Sequence, residues 1–216
     1  MKKGLVEMVF ILDRSGSMRG LEADTVGGFN SLIEKQKQAP GEALVSLVLF
    51  DDQFEVVHHR RVIASLEPLT KDTYYVRGST ALVDAVGRGI EKIKHVHRQL
   101  GKDNTPEKTM FIITTDGQEN ASKQFNSHQL KRLVSEQQEK FGWEFLFLGA
   151  NIDAFTTAMD LGIKRDRAAN FEASEEGIKQ KFFAVNESIS RFRDNDLSFM
   201  NSLKQHLPED PKKKKK

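Results

Sequence analysis

Three short stretches of the chain place oxygen-bearing side chains where apolar runs end. They are Asp13, Ser15 and Ser17 in DRSGSM, Ser79 and Thr80 in RGSTALVDAV, and Asp116 in TTDGQEN. Asp13, Ser15, Ser17, Thr80 and Asp116 offer only oxygen, which suits a hard cation such as magnesium with its preference for about six oxygen ligands in octahedral geometry. Manganese and calcium accept the same donors, whereas soft or nitrogen-seeking metals gain nothing from them. Hydroxyls are neutral, so they fix a cation without cancelling its charge. If the two carboxylates act partly through water, the ion stays electrophilic and can take an acidic oxygen from another molecule. Each piece also has a plainer reading: a strand-to-helix turn at Asp13, a helix cap at Thr80 and a tight turn at Asp116 before Gly117. Separate turns do not explain why all three occur together.

The elements that must carry these residues are legible in the hydrophobic pattern. Residues 5 to 12 (LVEMVFIL), 109 to 115 (TMFIITT) and 143 to 150 (WEFLFLGA) are short, apolar and rich in β-formers, the pattern of strands covered on both faces. Residues 43 to 50 and 54 to 63 are parted only by Asp51, Asp52 and Gln53, too short a link for a parallel crossover, so they predict an antiparallel hairpin at a sheet edge. Leu82, Val86, Ile90, Ile93 and Leu100 recur at helical spacing after Thr80, and Ile178, Phe182, Val185, Ile189 and Phe192 form the cleanest amphipathic stripe, with Ser174 as its cap. Alternating strands and helices with one hairpin give a doubly wound, mostly parallel α/β sheet. In such a sheet ligands sit beyond the carboxyl ends of the strands, so Asp13 and Asp116 share one crevice if their strands are neighbours.

Taken with these elements, DRSGSM, GST and TTDG resemble the three loops of the metal-ion-dependent adhesion site in von Willebrand factor type A domains. The resemblance spans roughly residues 4 to 193, in the expected order. It implies a Rossmann-like α/β sheet of six strands with one antiparallel edge strand and helices on both faces. It also implies Ser15, Ser17 and Thr80 as direct metal ligands, with Asp13 and Asp116 acting directly or through water. One departure is AANFEAS, weakly apolar and short, which predicts an irregular sheet edge near residues 168 to 173. The rim of such a site comprises Arg14, Arg19, Ser79, Gln118, Glu119 and Asn120.

The expected domain is residues 1 to 193, followed by a C-terminal extension over 194 to 216 with a flexible Lys-rich tail. The chain has 216 residues and a formal charge of +2, but its last five residues are all Lys; without them the balance is −3. The body is therefore no basic groove, and nucleic acid is not an expected partner except through the tail. No cysteine is present, which excludes disulfides and thiolate metal sites. Glu7 interrupts the N-terminal apolar run, no small-residue cleavage site follows it, and no stretch approaches a membrane span, so a soluble cytoplasmic protein with no membrane partner is expected. The His58/His59 and His95/His97 pairs do not share a face suited to zinc. Asp84, one turn after Thr80, reads equally well as a residue on an exposed helix face.

With no nucleophile, no nearby histidine and no phosphate-binding loop in the motif, a metal-dependent hydrolase is the alternative rather than the expectation. The expected function is a non-enzymatic binding module whose magnesium, or else manganese or calcium, coordinates an Asp or Glu carboxylate of a protein partner. Family analogy sets it in a bacterial or phage ATPase or stress-response system.

Overall fold

The computed structural model describes residues 1 to 207; the terminal lysines expected to form a flexible tail lie outside the described residues. In chain order the main elements are β1 (Lys2–Asp13), α1 (Glu22–Gln38), β2 (Glu42–Phe50), β3 (Phe54–Val62), α2 (Leu82–Leu100), β4 (Pro106–Thr115), α3 (Ser127–Phe141), β5 (Glu144–Gly149), α4 (Ala154–Asp160), β6 (Ala168–Asn170), α5 (Glu175–Arg193) and α6 (Phe199–His206). The six strands form one sheet in the order β3-β2-β1-β4-β5-β6. All neighbours are parallel except β2 and β3, the hairpin expected at the edge.

The apolar run of β1 splits between two cores because successive side chains point to opposite faces. Met8, Phe10 and Leu12 pack with Phe29 of α1 and Ile178, Phe182 and Val185 of α5. Val9 and Ile11 pack with Val86 and Ile90 of α2 and Leu130 of α3. Glu7, the one acid in this run, is completely buried, with Arg60 Nε donating to it at 2.7 Å and His97 Nε2 bonded to it at 2.6 Å. Pairing on both carboxylate oxygens is what makes burial of that charge tolerable. On α5 the stripe of Ile178, Phe182, Val185, Ile189 and Phe192 is buried throughout, and the Ser174 hydroxyl accepts from Gly177 N–H as the cap.

Two features differ from, or sharpen, the sequence expectation. β6 is only three residues long, consistent with the weakly apolar edge segment. The core also continues past Arg193 into the segment expected as an extension. Phe199, Leu203 and Leu207 are buried against the α1 and α5 side of the sheet, with the rings of Phe192 and Phe199 meeting edge to face at 5.2 Å. Periodicity is weak there because α6 spans only two turns, too few for a stripe to show. Among the described residues no helix is long and apolar enough to cross a membrane.

Candidate metal centre

β1 and β4 are adjacent, and their register pairs Leu12 with Thr114. Asp13 and Asp116 therefore emerge side by side at the carboxyl edge of the sheet. The Asp13 carboxylate is anchored at both oxygens. Ser15 N–H donates to Oδ1 at 2.6 Å and the Thr115 hydroxyl donates to Oδ2 at 2.5 Å. The buried Tyr74 hydroxyl donates to the Asp13 carbonyl at 2.6 Å, fixing the backbone where the strand turns.

Beyond Asp13 the hydroxyls converge. Thr80 Oγ1 donates to Ser15 Oγ at 3.0 Å, the Ser15 and Ser17 hydroxyls lie 3.1 Å apart, and Ser17 Oγ donates to Asp116 Oδ1 at 2.5 Å. All five residues expected at the site thus belong to one cluster. The loops are tied to one another through the backbone. Gly16 N–H donates to the Gly78 carbonyl, Thr80 N–H donates to Asn120 Oδ1, and Asn120 N–H returns to the Thr80 carbonyl. Gly78 has φ +66 and backs onto Asp52, so a side chain there meets both backbone strain and a carboxylate.

Three observations test whether a cation fits. Asp116 Oδ2 is buried and has no hydrogen-bond partner, which is costly for a carboxylate oxygen left alone. A Cβ on Gly117 would lie 2.8 Å from Thr80 Oγ1, 3.1 Å from Ser17 Oγ and 3.7 Å from Ser15 Oγ, so glycine keeps the approach to these oxygens clear. Burial, helped by the charge of Asp116, pushes the Asp13 carboxyl up to about 6 against the hydrogen bonds from Thr115 and Ser15; burial also raises Asp116. Two carboxylates held under these conditions gain from a nearby positive charge. Among the described residues no three His, Cys, Asp or Glu side chains gather as a metal cage, so a cation here depends on the hydroxyls. The donor set fits a hard divalent ion.

Of the residues expected on the rim, Arg19, Ser79 and Gln118 are exposed. Glu119 and Asn120 are also exposed, but their polar groups brace the loops: Glu119 accepts from the backbone N–H of Val83, Ala121 and Ser122. Arg14 is not on the rim. It is fully buried, donates to Glu55 at 2.6 Å and to Asp51 at 3.3 Å, and lies over the Tyr75 ring at 5.1 Å from the centroid. Alternation along the strand explains this, because the residue between Asp13 and Ser15 must face away from them. Asp84 likewise does not decorate an exposed face: it is buried and accepts from the N–H groups of Lys123, Gln124 and Phe125, holding the loop that follows Asp116.

Sequence reasoning missed Thr115 and Tyr74. Thr115 was visible only as a strand residue, and Tyr74 lies in a segment without periodic signal.

By sequence, no protein-family profile matches the chain and no curated protein is similar to it. Solved structures do share its fold. Proximal thread matrix protein 1 from the mussel byssus is 16% identical with TM-score 0.57, over 87% of this chain and 46% of its own; one structure of that protein has a zinc-occupied MIDAS motif. Manganese-loaded TRAP protein of Plasmodium vivax is 14% identical with TM-score 0.56, over 84% of this chain and 74% of its own. A von Willebrand factor type A protein from Catenulispora acidiphila is 13% identical with TM-score 0.52, over 90% of this chain and 42% of its own. The chain has the von Willebrand factor type A fold: a six-stranded, mostly parallel sheet with one antiparallel edge strand and helices on both faces. It spans less than half the length of the mussel protein.

Proposed function

We propose that the chain is a divalent-cation-dependent protein-binding module. The observation that carries this reading is the convergence of an oxygen-only donor set from three loops, with the buried Asp116 Oδ2 left unpartnered. Ser15, Ser17 and Thr80 would hold the ion directly, and Asp13 and Asp116 directly or through water. When bound, the cation supplies an electrophilic position for an Asp or Glu carboxylate of a partner. The hydroxyls leave the ion's charge largely intact, and Arg19, Ser79 and Gln118 surround the approach. Zinc in the MIDAS motif of one structural neighbour and the manganese loaded into another support a divalent ion; magnesium is our choice for this oxygen set.

Binding is favoured over hydrolysis because the donors named here include no activated nucleophile, and no histidine takes part in the hydrogen bonds that build the three loops. An adaptor role in a bacterial or phage ATPase or stress-response assembly, in the cytoplasm, is the setting we infer from family analogy. The test is capture of a partner from host extract in magnesium, in EDTA, and with Thr80→Ala. Capture should occur only with wild-type protein in magnesium and be lost when one acidic residue of the partner is replaced. Binding that survives EDTA, or turnover of a small substrate with metal and no partner, would contradict the proposal.

A further inference from the structure

Asp51 lies in the link of the β2–β3 hairpin and has no exposed surface. Its Oδ1 accepts from Gln53 N–H at 2.6 Å, the side-chain turn expected of an Asp at a hairpin. That turn does not explain Oδ2. This second oxygen accepts from Arg14 Nε at 3.3 Å and from Arg77 Nε at 2.5 Å, one arginine beside Ser15 on the first loop and the other just before Gly78 on the second. A buried carboxylate is tolerable only with such partners, and Asn would close the hairpin as well. The main chain repeats the same links. Arg14 N–H donates to the Phe50 carbonyl at 2.8 Å, Arg77 N–H to the Arg14 carbonyl at 3.0 Å and Ala81 N–H to the Asp51 carbonyl at 2.9 Å. Ala81 follows Thr80, so Asp51 bonds to the neighbours of two candidate donors, Ser15 and Thr80, whose hydroxyl oxygens lie 3.0 Å apart. Arg77 is fixed further by Nη1 donating to the Tyr75 hydroxyl at 3.2 Å and Nη2 donating to Gln53 Oε1 at 3.1 Å.

We propose that Asp51 is a positioning residue for the candidate metal centre: its carboxylate, through Arg14 and Arg77, sets the separation of Ser15 and Thr80 and with it the affinity for the divalent ion. The effect on the ion rests on the metal-site reading above; the tie between the two loops does not. An ion that needs hydroxyls from two loops binds more tightly when those loops are already held, because their ordering entropy is lost on folding rather than on binding. Asp51 does this from behind the site, without being a ligand.

The experiment has two arms, with folding of every variant checked by circular dichroism. Asp51→Asn keeps an acceptor for Gln53 N–H but turns an amide toward the two arginines, and it should weaken manganese binding in calorimetric titration by about tenfold or more. Arg77→Met alters only a partly exposed side chain, so it remains informative if Asp51→Asn does not fold; it should weaken binding by at least about threefold. Arg77→Lys keeps a charged donor for Asp51 and should bind more tightly than Arg77→Met. Phe199→Ala, a core substitution in α6, should lower Tm and leave the affinity as in wild type. Wild-type affinity in either folded variant, Asp51→Asn or Arg77→Met, or a loss in Phe199→Ala as large as theirs, overturns the positioning role; equal losses in the two Arg77 variants overturn the ion pair as its means. In EDTA, the amides of Arg77 and Ala81 should exchange hydrogen at least about tenfold faster in Asp51→Asn and Arg77→Met than in wild type. Equal rates overturn the tie between the loops. If wild type binds no manganese, the metal-site reading fails and the effect on the ion fails with it, while the exchange rates still decide whether Asp51 joins the loops.

Discussion

Every oxygen at the candidate centre except the unpartnered Asp116 Oδ2 is held by a neighbour, and this makes single substitutions informative. Gly117→Ala would place a methyl group against Thr80 Oγ1 and Ser17 Oγ; metal affinity should fall by at least about tenfold with the circular dichroism spectrum unchanged. Tyr74→Phe removes the hydroxyl that donates to the Asp13 carbonyl. It should cost about 1–2 kcal/mol in denaturant melts, the price of one buried acceptor left unpaired. That these five residues would meet was legible in the sequence because each loop interrupts an apolar strand or opens a helix with polar residues. Arg14 was misplaced for a different reason: nothing local in the sequence reveals that Asp51 and Glu55, some forty residues on, receive its guanidinium.

At the scale of elements, what positions the site is the pairing of β1 with β4 and the loop from 117 to 126 that Asp84 and Glu119 brace. Asp84→Ala leaves the N–H groups of Lys123, Gln124 and Phe125 without their acceptor. It should destabilise the fold by about 2–3 kcal/mol, read from chemical denaturation. The strands and the two long amphipathic helices could be read from periodicity, since buried parallel strands and a sustained helical stripe each leave a strong pattern. α6 could not, although Arg193 just before it donates to the carbonyls of Gln36, Ala39, Pro40 and Gly41 at the end of α1 and so locks this corner. Truncation after residue 193 removes Phe199, Leu203 and Leu207 from the core. At about 1.5–3 kcal/mol for each buried side chain, it should lower Tm by more than about 10 °C for a domain of this size, whereas a peripheral segment would leave Tm nearly unchanged.

The whole molecule places an oxygen-lined site at the carboxyl edge of the sheet, where β1 and β4 lie side by side. An ion that binds only the folded state must stabilise it. At ten times its Kd a divalent cation should add about 1.4 kcal/mol, seen as a rise in Tm that EDTA reverses. The most direct measurement is a calorimetric titration of magnesium and manganese into wild-type protein and Asp13→Ala, with circular dichroism on the same samples. One ion should bind the wild type in the range of about 0.1–1 mM, as at oxygen-ligand sites of moderate charge, and the folded Asp13→Ala should bind none. Equal affinity in the two proteins, or no saturable binding by the wild type at about ten times that range, would contradict a metal centre at these three loops.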